Sequence, residues 1–232
     1  VQVLDEEREL RELLEERGYL RCRNVPVSIL DLKWRSFDDY LASLPRKHRV
    51  EFQRQIKRSR EAGNDTETVG SCAGIENRLL ELLDANARKY GGRPFAAGKD
   101  FFGSLTGNLG PAARIFALRN AGRLTAACVV IVEPPAGVAL AVGVEEAGAG
   151  EYAYFQVTYY STIADAIACG LERLYFGREM YQVKLRRGCR LTNAWIYMNP
   201  AGVRRVVAAS WFAIASRWNR RKLPVEARRV LR

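Results

Sequence analysis

The chain has a single histidine, His48, and no Cys-x-x-Cys pair among its five cysteines, Cys22, Cys72, Cys128, Cys169 and Cys189. An odd count without metal-ligand spacing argues against both a disulfide framework and a zinc site. With one imidazole, set inside a basic run, a Cys–His nucleophilic pair has little support. The cysteines read instead as small buried hydrophobes of a reducing, cytoplasmic setting. Long apolar runs are also missing: the longest, residues 206–215, is too short to cross a bilayer. The first residues are acidic and charged, not basic and then apolar, which is unlike a secretory signal.

What is present is length, apolar content and positive charge. At 232 residues and 48% hydrophobic content the chain can bury a sizeable core, and one large domain is preferred to two small ones. Lys and Arg outnumber Asp and Glu by 37 to 26, a formal charge of +11. That balance favours an anionic partner: nucleic acid, a phosphorylated cofactor or an acidic membrane surface. A basic soluble protein from an arginine-rich proteome has the same signature, so charge alone does not choose.

Residues 159–188 form the stretch around which the chain is organised. Ile163, Ala166, Ile167 and Leu171 recur at roughly helical spacing, and Leu174, Tyr175 and Phe176 then begin a short buried strand. Gly177 breaks the strand, the pattern turns helical again from Arg178, and Gly188 fits the left-handed position that ends a helix. Polar groups at the exit of a core strand are where α/β proteins keep their sites.

The rest of the chain predicts further elements. An acidic N-terminal helix from Asp5 stops at Gly18, and two strands follow over residues 19–23 and 27–32. Ser36 is the N-cap of a helix over 37–44, and Pro45 starts a second. Between Arg46 and Arg60 seven Lys or Arg residues face one acid, Glu51, with a thin apolar seam of Val50, Phe52 and Ile56. Lys47, Arg54 and Arg58 fall on one side of that helix and are candidate ligands for the phosphates of a nucleotide, a tRNA or a lipid diphosphate; a solvated face is the plain alternative. After a loop over 63–74 come an amphipathic helix over 75–90, a helix over 95–109, a hairpin of strands 113–118 and 124–132, and a strand over 138–144. A strand over 191–198 precedes the C-terminal end. There Trp195, Trp211, Phe212 and Trp218 interleave with Arg204, Arg205, Arg217, Arg220, Arg221 and Lys222. Residues 203–216 read as an amphipathic helix docking on the domain. A membrane-surface helix and an arm along RNA are the alternatives, and the basic tail 217–232 is assigned to a partner or to disorder.

Phe176-Gly177, Tyr181, Lys184 and Gly188, preceded by an aromatic-headed helix, resemble the GNAT-like acyltransferases of the FemAB type, the BioF2-like acetyltransferase domains. Residues 36–44 with the basic helix 46–63 look like the segment that opens the same domain. The resemblance implies an α/β (α+β) fold with a mixed, mainly antiparallel central sheet flanked by helices, in which three strands, a helix, a strand, a helix and a strand succeed one another. It implies segments 1–35, the end of an upstream half, 36–200, the acyltransferase domain, and 201–232, the helix and tail. The chain is accordingly expected to be the C-terminal part of a larger protein or a shortened member.

The implied function is N-acyl transfer, forming an amide bond between an acyl or aminoacyl group and the amine of a small molecule or cell-wall precursor. The co-substrate is acyl-CoA or aminoacyl-tRNA, with no cofactor held covalently. Many acetyltransferases open a helix with a Gln/Arg-x-x-Gly-x-Gly/Ala loop that holds the coenzyme A pyrophosphate. The corresponding stretch here, 148–156, has two glycines and then bulky aromatics, which weakens the CoA donor and leaves room for a tRNA. The rival class is a non-catalytic RNA- or anionic-membrane-binding module.

Acyl transfer needs an unprotonated amine, close reactants and a donor to the oxyanion. By resemblance Lys184 is the family's lysine eight residues past Phe176; it would hold a phosphate or carboxylate or stabilise the oxyanion, unless it snorkels from a surface helix. Glu179 would accept the amine proton and Arg178 would clamp an anion, unless the two form an exposed pair. Tyr160 would relay a proton, and Tyr159 and Tyr181 would orient substrate, against the reading of all three as core packing.

Overall fold

The computed structural model describes residues 1–89, 100–145, 152–201 and 203–223, without the side chains of 203 and 220–222. The chain divides into two compact units, Asp31–Tyr175 on the one hand and Val1–Leu30 with Phe176–Arg232 on the other.

The Asp31–Tyr175 unit is built on strands in the order β4 (Asn64–Val69), β5 (Ala113–Asn120), β6 (Arg123–Glu133), β7 (Ala136–Val144) and β8 (Arg173–Gly177, entering the other unit at Phe176). The first three pairings are antiparallel and β7–β8 is parallel. This is the mixed, mainly antiparallel sheet flanked by helices that the sequence implies. Strand alternation sends Ile115, Ala117, Ala127 and Val129 to one face, where they meet Leu79, Leu82 and Leu83 of α4 (Glu76–Lys89) and Phe102 of α5 (Asp100–Leu109). The β5–β6 turn uses two left-handed residues, Ala121 (φ 47°) and Gly122 (φ 77°), the geometry that matches the twist of a hairpin.

Two helices open this unit. Ser36 caps α2 (Phe37–Ser43), its Oγ accepting from the Asp39 N–H at 3.1 Å, and Pro45 precedes α3 (Arg46–Glu61). The basic α3 buries only Phe52, Gln55 and Ser59.

Several expectations change. Part of the predicted loop 63–74 is β4, a strand without an apolar residue before Val69. It is an edge strand paired with β5, its residues 65–68 are exposed and so need not be apolar, and the diagonal cross-strand pair Glu67–Arg119 (2.7 Å) supports it. The predicted helix over 95–109 is seen only as α5, since residues 90–99 lie outside the described residues.

In the other unit β1 (Gln2–Leu4), β10 (Ala194–Met198) and β2 (Leu20–Arg23) pair antiparallel in the order β1-β10-β2, and β3 (Val27–Asp31) pairs antiparallel with β9 (Arg190–Thr192). The N-terminal helix, α1 (Arg8–Glu16), starts later than Asp5 because β1 precedes it and Asp5 serves other groups: its carboxylate accepts from Asn193 Nδ2 (2.7 Å) and Trp195 Nε1 (2.6 Å). Asn193, also bonded to Arg23 Nη2 at 2.6 Å, splits the single strand predicted over 191–198 into β9 and β10. The C-terminal helix, α9 (Val203–Lys222), runs past residue 216, and the tail beyond 223 lies outside the described residues.

Candidate active site

The pairing of β7 with β8 covers only Ala136–Arg173, Gly137–Leu174 and Val138–Tyr175. Beyond Val138, β7 continues to Val144 paired with β6. Along that stretch Val129 of β6 faces Ala141 while Val130 faces Ala139, so Leu140 is an extra residue, a bulge. A bulge strengthens local twist and leaves its residue out of the ladder. Val138 and Leu140 are exposed. Among the described residues no strand pairs with the β8 side of β7 past Val138. Such an edge can receive an extended, amide-bearing chain, and a main-chain N–H left out of a ladder is the type of donor a tetrahedral oxyanion requires.

Two helical pieces and a π-helical turn lie against the same sheet. After α6 (Ala153–Phe155) residues Gln156–Ser161 form the π turn, and α7 (Thr162–Ala168) follows. The turn packs on β4, β5, β6 and α3. Gln156 Oε1 and Thr158 Oγ1 are buried within it and make no hydrogen bond. Buried polar atoms without partners cost stability, and π turns recur at functional sites. The sequence reading missed Leu140, Gln156 and Thr158. Two polar residues among the aromatics of 154–160 were the signal for the last two; an all-apolar strand contained no signal for the bulge.

Within the same unit Tyr160 is 2% exposed, and its Oη donates to Gln55 Oε1 of α3. Its ring meets Phe52 at 5.8 Å and Phe37 at 6.5 Å. Tyr159 is also buried, edge-on to Tyr154 at 5.9 Å. Lys47, Arg54 and Arg58 are exposed on one side of α3, and Arg58 Nη1 donates to Tyr152 Oη at 3.3 Å, just before α6. Residues 146–151, most of the loop that lacks the pyrophosphate motif, lie outside the described residues.

Lys184, Glu179, Arg178 and Tyr181 belong to the other unit. The helix expected from Arg178 begins at Tyr181, as α8 (Tyr181–Leu185), because Glu179 (φ 65°) and Met180 (φ 46°) are left-handed, close after Gly177 (φ 67°). Two consecutive non-glycine residues in that region are strained, and such strain clusters at functional sites. Lys184 does not snorkel to the surface. It is 4% exposed, and its Nζ donates to the carbonyls of Phe176 and Arg178, each at 2.7 Å. Burial lowers its pKa to about 8, the nearby Cys189 and Glu179 opposing the shift. Arg178 and Glu179 are exposed at the tip of the turn that Lys184 braces. Tyr181 is buried, its Oη donating to the Pro26 carbonyl at 2.9 Å, and burial raises its pKa.

The cysteine thiols are poor nucleophiles where burial acts on them: Cys128 is pushed up to about 12 and Cys72 is also raised. Among the described residues no cluster of His, Cys, Asp or Glu could hold a metal ion.

A mixed, mainly antiparallel sheet with helices against it, whose parallel pair covers three residues, defines an α/β domain. The sequence matches the model of the acetyltransferase (GNAT) domain over residues 46–185, and the chain belongs to that family. No curated protein matches it. Among solved structures the fold is similar to that of FemX (TM-score 0.64, 10% identity, covering 86% of this chain and 72% of FemX). It is also similar to L-PGS from Bacillus licheniformis (0.61, 11%, covering 92% and 71%). A third is the C-terminal domain of a putative lysylphosphatidylglycerol synthetase from Agrobacterium fabrum (0.59, 14%, covering 90% and 70%).

Proposed function

We propose that the chain is an N-acyltransferase of FemAB type, which moves an acyl or aminoacyl group from acyl-CoA or aminoacyl-tRNA to the amine of a small molecule or cell-wall precursor. The observation that carries this reading is the end of the β7–β8 pairing at Val138, past which no described strand pairs with that side of β7, together with the bulge at Leu140. Membership of the acetyltransferase family supports acyl transfer as the reaction type. The donor lies along that edge and the bulge N–H stabilises the oxyanion that forms when the amine attacks. The C–N bond forms as the bond from carbonyl carbon to the donor's sulfur or ribose oxygen breaks, and the amine proton ends on the departing sulfur or oxygen, which leaves as thiol or hydroxyl. Lys47, Arg54 and Arg58, in the same unit as β7, hold donor phosphates. In the other unit Lys184 acts as a positioning residue, bracing the turn that carries Arg178 as anion clamp and Glu179 as proton acceptor, and Tyr181 secures the helix start through its bond to the Pro26 carbonyl. Tyr159 and Tyr160 position the backbone within the unit of β7. A putative lysylphosphatidylglycerol synthetase among the similar folds, named for an aminoacylated product, favours the aminoacyl donor.

The test is the melting temperature of the purified chain with acetyl-CoA, longer acyl-CoA thioesters, and charged and uncharged tRNA. A ligand that binds only the folded state raises it, increasingly as concentration exceeds the dissociation constant. A saturable rise with a thioester identifies CoA as donor carrier; a rise with charged tRNA alone identifies the aminoacyl donor. Equal rises with charged and uncharged tRNA, without amide product by mass spectrometry, would replace this reading with the RNA-binding module.

A further inference from the structure

Helix α9 presents two apolar faces, and docking accounts for one of them. Phe212 and Ala215 are buried beside Cys22, Leu20 and Ile196. Ser216 and Asn219 secure the same face, Ser216 Oγ accepting from the Arg23 N–H and Asn219 Nδ2 donating to the Arg23 carbonyl, both at 2.9 Å. The second face consists of Val207, Trp211, Ile214 and Trp218, at i, i+4, i+7 and i+11, a single stripe roughly a third of a turn from the first. These four are 59–67% exposed. Contiguous large apolar side chains in water mark an interaction surface.

We propose that this stripe is a membrane-surface contact, with α9 lying in the headgroup region of an anionic phospholipid bilayer. Trp211 and Trp218 have the amphipathic rings that settle at the interface, and Val207 and Ile214 extend the apolar strip toward the acyl chains. Exposed Arg204 and Arg217 are within reach of lipid phosphates, and no Asp or Glu occurs between residues 203 and 222. The chain's formal charge of +11 adds long-range attraction to the same surface. None of the described helices is long and apolar enough to cross a membrane, so the contact lies on the bilayer. An RNA partner would use the arginines and the indole faces but leave Val207 and Ile214 without a role. A second copy laid stripe to stripe would bring arginine toward arginine with no carboxylate on either helix to offset them. The inference is independent of the acyl-transfer reading.

The experiment is co-sedimentation of the full chain with vesicles of phosphatidylcholine alone or mixed equally with phosphatidylglycerol, alongside tryptophan emission. Binding to the mixed vesicles with a blue shift, absent with phosphatidylcholine alone, is expected. Trp211→Ser with Trp218→Ser lowers partitioning about tenfold or more, with the circular dichroism and melting temperature unchanged because both side chains are already exposed. Ile214→Asp, on the same stripe, has the same effect. No binding to the mixed vesicles, or equal binding by the variants, overturns the proposal. So does loss in the variants of a lipid-free dimer seen by ultracentrifugation, or of tRNA binding, while vesicle binding persists; these would assign the stripe to a second copy or to RNA.

Discussion

The Lys184 ammonium donates to the carbonyl oxygen of Phe176 at 2.7 Å, and to that of Arg178 at the same distance, inside a site that leaves the lysine 4% exposed. A short helix thus ties back the strand end that precedes it, and the left-handed residues Glu179 and Met180 are held between the two.

That burial sets a pH dependence. The folded-state pKa of Lys184, about 8, lies below the ordinary 10.5. Below pH 8 both the folded and unfolded chains are protonated there. Between 8 and 10.5 the unfolded chain binds the extra proton, so this lysine makes stability rise with pH across the window and level off above it. The full rise is up to about 3 kcal/mol. Urea unfolding of the native chain and of Lys184→Met from pH 7 to 10.5 checks it. The native chain gains on the variant as pH rises; a constant difference would refute the shift.

Gly143 of β7 sits against α4. A Cβ there would lie 2.6 Å from the Leu82 carbonyl carbon and the Leu83 nitrogen, main-chain atoms that move only with the helix. Gly143→Ala is expected to cost about 1–3 kcal/mol and to lower the melting temperature by roughly 3–10 °C. An unchanged melting curve would mean that α4 is free to slide.

The hairpin turn gives a prediction of each sign. Ala121 has φ 47°, which glycine adopts without penalty, so Ala121→Gly stabilises by about 0.5–1 kcal/mol in spite of the entropy glycine adds to the unfolded chain. Gly122 has φ 77° and no atom within 4 Å of a Cβ, so Gly122→Ala destabilises by about 1–2 kcal/mol through the backbone alone. Chemical denaturation of the pair measures both.

Alanine at Lys47, Arg54 and Arg58 together is expected to weaken donor binding and flatten its salt dependence, by about 2 in the slope of log K against log salt for a tRNA. All three are exposed, so the melting temperature changes little. Unchanged affinity and slope would remove α3 from the proposed donor site.

Most of the elements could be read from local pattern. The Ser36 cap, the leucine stripe of α4 and the β5–β6 hairpin are all written in residues a few positions apart, because helix and strand periodicity and turn chemistry act over that range. The candidate groups were less legible. Tyr159 and Tyr160 stand out in the sequence as aromatics, but their burial, and the bond from Tyr160 to Gln55, 105 residues away, depend on the packing of α3 against the π turn. The strain at Glu179 and Met180 was invisible because neither residue favours a left-handed conformation.

The sequence by itself determined the class of the fold, the order of its main elements, the basic face of α3 and the glycines that end strands and helices, all properties of neighbouring residues. Only the tertiary structure decided that the polar segment Asn64–Val69 is a strand, since its partner β5 supplies the hydrogen bonds that its composition does not advertise. It decided equally that Leu140 bulges from β7 and that Lys184 turns inward to two carbonyls. Pairing register and desolvation belong to contacts between distant parts of the chain, and no local propensity encodes them.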